Sequence, residues 1–339
     1  MDFTLTDEQE LLRATARSLL GNECPSTLVR AHWEDPSVVE PLWETHLREW
    51  VALGDGPLVD HCLFLEEAGH VLLPGPYFAT SALFLPLLRA LGHPSADVVA
   101  AGGLSGTVAL AGLDGLWTTE PSPDPVRRFV PEADRVDQVA LVLPGPAVAV
   151  LPASSLTARP METLDSTRRL FEVEVPADVD PQPISPEALA AVLDRATVAL
   201  AAEMVGTTRW LVSTSVQYSK ERVQFDRPIG SFQGLQFKMV DMSLDHERAA
   251  AAVYYAAMTF DAGDPDRQRA AHVAKAAAGT AAKRAAKDAV QIHGGIGYTW
   301  ESDVHLFLRR AYASEYLLGP SDWHHDRLAD LLLGGSSLR

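Results

Sequence analysis

The sequence predicts a mainly α-helical protein with a small β domain in its middle and a four-helix bundle in its C-terminal half. Three observations carry this. Residues 5–100 place apolar side chains at helical spacing. Residues 105–177 switch to short Val/Ala/Leu runs broken by proline and glycine. From 186 onward, long segments without proline return to a helical period. The expected divisions are therefore 1–104, an N-terminal helical domain; 105–177, a β domain; and 178–339, a helical bundle.

The first helix is announced by Thr6-Asp7-Glu8-Gln9, a capping box in which a hydroxyl and an amide three residues apart each satisfy a free backbone donor. Leu12, Ala16, Leu19 and Leu20 continue it. Further apolar helical segments are expected around 56–70 and 78–92, parted by the turn Pro74-Gly75-Pro76. In the middle region Val139–Leu143 and Val148–Leu151 read as strands, with about five strands in all. Residues 178–186 read as a proline-rich linker. Ser185-Pro186-Glu187 then combines a cap, a proline at the first helical position and an acid near the positive end of the dipole. That helix can run to about Arg222, with Leu189, Val192, Leu193, Ala196 and Leu200 on one face. A second helix covers about 233–261, and a third ends at His293, where Gly294 stops it. Two more are expected at about 302–317 and 322–333. Long helices with short connections make an antiparallel bundle with a tail helix.

Composition narrows the function. With 47% hydrophobic and 22% charged residues the chain is an ordinary folded protein. A formal net charge of -17 argues against nucleic-acid and anionic-membrane partners. Cys24 and Cys62 lack a C-x-x-C spacing, so neither a disulfide framework nor a zinc site is supported. The first residues lack the basic and apolar regions of a signal peptide, and no apolar run approaches the roughly 18 residues of a membrane span. A cytoplasmic location is the expectation.

Against this acidic background Lys220, Arg222 and Arg227 form a local basic excess. Two stretches at helix ends, Arg222-Val-Gln-Phe225 and Gln291-Ile-His-Gly-Gly295, together offer what a dinucleotide diphosphate needs. Arg222 supplies a cationic fork and Gln224 and Gln291 supply amide donors. Gly294 and Gly295 let backbone approach without a side chain in the way.

The order of the domains, read with these motifs, resembles the acyl-CoA dehydrogenase family. The pattern R-x-Q-F-G-x-P-I-x-x-F-Q appears as Arg222-Val-Gln-Phe-Asp-Arg-Pro-Ile-Gly-Ser-Phe-Gln233. The later pattern Q-x-H-G-G-x-G-Y-T-x-E appears as 291–301, followed by Leu306-Phe-Leu-Arg-Arg310. The opening Asp2–Gln9 is also similar, so the resemblance covers nearly the whole chain. It implies an acyl-CoA dehydrogenase fold whose cofactor is FAD lying across a subunit interface. Arg222, Gln224, Phe225, Gln233, Gln291, Ile292, His293, Gly294 and Gly295 then reach the pyrophosphate and adenosine of FAD bound mainly by the neighbouring subunit. It further implies α,β-dehydrogenation of an acyl-CoA substrate, with electrons passed to an electron-transfer flavoprotein.

The chain departs from the family where chemistry should occur. One family position for the carboxylate base holds Leu318, and the other, counted back from Phe225, holds Ala196. No catalytic residue is therefore assigned. The flavin-contacting T-E-P-G-A-G-S-D stretch is replaced by Ala109-Leu-Ala-Gly-Leu-Asp-Gly115. Thr119-Glu-Pro121 looks like it but lies too close to the next strand, and Pro131 stands in place of a flavin-edge threonine. A kept diphosphate clamp beside a stripped ring site resembles the shorter subunit of bacterial heterotetrameric dehydrogenases that act on steroid side-chain CoA thioesters. The expected partner is a longer catalytic homologue. Two alternatives stand beside this: an autonomous homo-oligomeric dehydrogenase with Glu203, Asp322 or Asp326 as a displaced base, and a non-catalytic scaffold. Glu203 reads first as a bundle ion-pair partner. Adjacent His324 and His325, with Asp326, read as a solvated helix surface rather than a metal site, because neighbouring side chains on a helix point apart.

Overall fold

The computed structural model describes residues 4–333. The N-terminal region is helical as expected. It holds α1 (Asp7–Glu23), α2 (Ser26–Glu34), a broken helical run that includes the short α3 (Glu40–Leu42), α4 (Leu58–His70), α5 (Leu85–Leu91) and α6 (Ala96–Ala100). The capping box forms in both directions: Gln9 N–H donates to Thr6 Oγ1 at 3.3 Å and Thr6 N–H to Gln9 Oε1 at 3.2 Å. Of the opening motif, Asp2 and Phe3 lie outside the described residues.

The middle region contains two small sheets. One has the order β1 (Gly106–Ala109), β3 (Gln138–Leu143), β4 (Ala147–Pro152), β7 (Gln182–Pro183). The other has β2 (Val126–Pro131), β6 (Leu170–Glu174), β5 (Ala158–Pro160). Val130, Val139, Leu141, Phe171 and Val173 fill the space between them. The expected linker over 178–186 needs correcting, because Gln182–Pro183 pairs with Ala147–Val148. Proline is tolerated there because β7 is an edge strand and its missing N–H interrupts no ladder.

The C-terminal region is the expected bundle: α7 (Pro186–Glu221), α8 (Gln233–Asp261), α9 (Arg267–His293) and α10 (Val304–Tyr316), with α11 (Ser321–Leu332) against α9. Between α7 and α8 a hairpin of β8 (Val223–Gln224) and β9 (Arg227–Pro228) reverses the chain. Ser185 Oγ accepts from Ala188 N–H at 3.1 Å, which caps α7.

Helix α4 joins the two helical regions. Eleven of its residues, Leu58, Val59 and His61–Gly69, are buried, and it packs on α7 and α8. The α4–α7 crossing needs glycine on both sides. A Cβ on Gly69 would stand 1.9 Å from Glu203 O, and one on Gly206 1.8 Å from Glu66 O. The free N–H groups at the start of α4 are satisfied from outside the helix, since Leu58 and Val59 donate to the Asp261 carboxylate at 2.6 and 3.1 Å.

Candidate functional site

The end of α7 is built to present Arg222. Its N–H closes the helix on Tyr218 O at 2.9 Å, and its carbonyl accepts from Ile229 N–H at 2.8 Å across the hairpin. The hairpin turn places Phe225 and Asp226 at φ 55° and 60°, the left-handed pair that a two-residue turn matching strand twist requires. Asp226 stands where the family pattern has glycine, and aspartate tolerates this region better than most residues. Phe225 is 86% exposed, its ring edge-on to Phe232 at 6.0 Å. Arg227 stacks over Phe232 at 4.1 Å. Among the described residues the exposed Arg222 guanidinium makes no ion pair or hydrogen bond, and the same holds for the Lys220 ammonium.

The second stretch closes α9. His293 is buried, its Nδ1–H donating to Ala289 O at 2.8 Å and its ring stacked on Tyr218 with ring centroids 4.3 Å apart. Burial lowers its pKa, so the ring is neutral. Tyr218 lies one turn before Arg222, so this stack ties the two helix ends that carry the two stretches. Ile292 is buried too, whereas Gln291, Gly294 and Gly295 are exposed. The side chains of Ile292 and His293, two of the expected contacts, are therefore turned into the protein. Gly294, at φ 64° and ψ -141°, occupies a conformation that side chains rarely adopt. At both glycines a Cβ would meet nothing within 4 Å, but the φ of Gly295 is not in the left-handed range. Nothing among the described residues demands glycine at 295, and the space in front of it is open to an external group. Gln224 and Gln233 are exposed, the former holding its own neighbour's carbonyl, Val223 O, at 2.8 Å. An unpaired guanidinium, exposed amides and bare backbone at two joined helix ends fit the diphosphate of a dinucleotide.

The opposite end of the cofactor does not fit. Beside Pro131 the remaining space is a cavity of about 10 Å³ walled by Phe78, Glu132, Thr167 and Arg168, far too small for a flavin ring. A buried ionic brace fills this region. Arg168 reaches Glu203 on α7 at 2.5 Å and lies over the Phe78 ring at 4.8 Å. Arg310 on α10 binds Asp165 at 2.6 Å, Glu203 at 2.8 Å and Thr167 Oγ1 at 2.6 Å. Glu203 is thus a bundle ion-pair partner, both of its carboxylate oxygens engaged by the Arg168 and Arg310 guanidinium groups. Thr119-Glu-Pro121 lies in the loop between β1 and β2, off any strand.

Both family base positions are apolar and buried: Ala196 at 0% and Leu318 at 3% exposure. Leu318 is held in a left-handed conformation, φ 58°. The turn around it is fixed by the buried Lys275 ammonium, which donates to Glu315 O at 2.9 Å and Gly319 O at 2.8 Å, and by His324 Nε2, which donates to Leu318 O at 2.9 Å. His324 therefore needs correcting: it is 1% exposed, not part of a solvated face, because α11 packs that side onto α9. His325, Asp322 and Asp326 are exposed. Among the described residues no group of three His, Cys, Asp or Glu side chains could hold a metal ion. No helix among them is long and apolar enough to cross a membrane.

Comparison with known proteins identifies the family. The signature of the acyl-CoA dehydrogenase C-terminal domain matches residues 187–333. Acyl-CoA dehydrogenase IpdE2 of Mycobacterium tuberculosis is 31% identical over 327 residues, covering 93% of this chain and 94% of that protein. The chain belongs to the acyl-CoA dehydrogenase family. Solved relatives have the same fold. The ChsE4-ChsE5 complex from Mycobacterium tuberculosis matches with a TM-score of 0.87 and 21% identity, over 99% of this chain and 100% of that one. The Tcur3481-Tcur3483 steroid ACAD (acyl-CoA dehydrogenase) matches with 0.85 and 25%, over 98% and 99%. Acyl-CoA dehydrogenases are flavoproteins that oxidise CoA thioesters, and this is the enzyme class of the chain.

Proposed function

We propose that this chain completes, in trans, the FAD site of a second and catalytic acyl-CoA dehydrogenase chain. One observation carries the reading: the Arg222 guanidinium is exposed and without a partner among the described residues, while the space beside Pro131 is closed to about 10 Å³. When bound, FAD would supply the hydride acceptor for the acyl group, and the partner would supply the base. This chain binds and orients. The Arg222 guanidinium pairs with diphosphate oxygens, Gln224, Gln233 and Gln291 donate amide hydrogens, and Gly294-Gly295 lets the backbone come close. The likeness to the Tcur3481-Tcur3483 steroid ACAD and to the paired chains of the ChsE4-ChsE5 complex supports a two-chain assembly acting on a bulky, steroid side-chain acyl-CoA. Reduced flavin would then pass electrons to an electron-transfer flavoprotein.

The test is the FAD content of the complex purified with Arg222→Ala in this chain. Loss of one charge-assisted contact of about 1.5–3 kcal/mol should weaken FAD binding roughly 10- to 100-fold. Unchanged occupancy would sink the reading and leave a scaffold role.

A further inference from the structure

A groove of about 320 Å³ lies where α5 meets the start of α7 and the end of α8. It is separate from the space beside Leu318. Residues 190, 193, 194 and 197 of α7 border that space, whereas residues 188, 191, 192 and 195 border the groove. At about 100° per residue the two sets lie on opposite flanks of the helix. Pro86, Ala90, Ala191, Val192 and Phe260 give the groove apolar walls, and Arg195 with the Asp55–Arg89 pair supplies its polar groups.

Arg89 is fully used, holding Asp55 and Asp97 at 2.6 Å each. Arg195 is not. Its Nη2 donates to Gly56 O at 2.8 Å, and its Nε is sealed without an acceptor. Its Nη1 has no partner among the described residues and is not one of their sealed atoms, so those hydrogens meet open space. The guanidinium lies 5.6 Å from the centre of the Phe260 ring, another wall of the groove. Burial lowers the Arg195 pKa, and Asp261 and Asp55 counter this from beyond ion-pair distance. Neither acid is free to close on it. Asp261 accepts from Leu58 and Val59 N–H at 2.6 and 3.1 Å, and Asp55 is held by Arg89.

What Nη1 lacks is an acceptor, and the local charge selects its kind. Arg195 and Arg89 already face Asp55, Asp97 and Asp261, so the positive charge is matched without a ligand. A carboxylate would add negative charge to a balanced group, and an ammonium would bring donors to a donor. A neutral carbonyl does neither, and a hydrogen bond from a charged donor is among the stronger single contacts. We propose that this groove binds a compact apolar molecule through a neutral carbonyl, which accepts from Arg195 Nη1 while the body lies against Val192 and Phe260. The inference rests on the groove alone, so its failure leaves the trans-FAD reading intact.

The experiment titrates cyclohexanone, cyclohexanecarboxylate and cyclohexylamine into the full chain, read by saturation-transfer NMR. Saturable binding of the ketone is expected, with the carboxylate and the amine about ten-fold weaker or absent. Two substitutions place the binding in this groove. Ala191→Leu adds bulk to the wall and alters neither partner of the Arg195–Gly56 bond, whereas Arg195→Met keeps an apolar stem and removes the donor. Each should weaken the ketone about ten-fold or more, with a thermal melt to show that the variant is folded. Should Arg195→Met fail to fold, Ala191→Leu decides alone. No saturable binding of the ketone, equal binding of the carboxylate or the amine, or ketone binding indifferent to a folded variant would overturn the proposal.

Discussion

Gly294 and Gly295 are neighbours with different reasons to be glycine, and two alanine substitutions separate them. Gly294→Ala forces a side chain into a strained backbone and should lower stability by about 1–3 kcal/mol with or without FAD. Gly295→Ala adds a methyl to open space, so the chain alone should keep its melting temperature within a degree or two while the complex loses FAD affinity. Thermal melts of the chain, beside flavin content of the complex, check both; a destabilised Gly295→Ala would return this glycine to a purely local role. At this scale the exposure of Arg222, Gln291 and the paired glycines was legible in the sequence, because each lies at a predictable helix end. The inward half was not. That Arg168 and Arg310 clasp Glu203, or that His272 meets His324, depends on residues 35 to 107 positions apart, and no local period encodes such pairs.

Among the elements, the α4–α7 crossing sets the geometry on which the site depends. Gly69 and Gly206 bring the helices to backbone contact, and Arg209 then clasps Glu66 and Glu67, with Tyr254 Oη donating to Glu66 at 2.6 Å. Gly206→Ala places a methyl inside the van der Waals radius of a backbone carbonyl and must push the helices apart. A loss of about 3 kcal/mol or more is expected in chemical denaturation, at the upper end for overpacking. A neutral Gly206→Ala would show that the helices slide freely. Helix starts and stops were readable, since Thr6, Ser185 and Gly294 act through bonds to their own segment. Strand β7 was not, because a Gln-Pro pair becomes a strand only when β4 offers an edge.

For the molecule as a whole, buried neutral histidines dictate the pH response. His32, His70 and His272 are held at about 4 and His324 at about 3, chiefly by burial. Their folded values lie below the unfolded value near 6.5, so the unfolded chain binds more protons in between. Stability should therefore fall as pH drops from 6.5 toward 4, by up to about 1.4 kcal/mol per pH unit for each histidine. Denaturant titrations at pH 7, 5.5 and 4.5 check this, and flat stability across that window contradicts it. Asp194 works in the opposite sense, since a carboxyl raised to about 6 is favoured protonated, and Asp194→Asn should gain stability at pH 7 but not at pH 4. The domain order was visible in the sequence, but the brace of Arg168, Arg310 and Glu203 that ties β domain to bundle became visible only once they were packed together. The absorbance spectrum of the chain purified alone, beside that of the chain co-expressed with a family member carrying the glutamate base, tests the account most directly. It predicts no flavin bands in the first and flavin in the second. A full complement of FAD in the lone chain, bleached by an acyl-CoA, would contradict it.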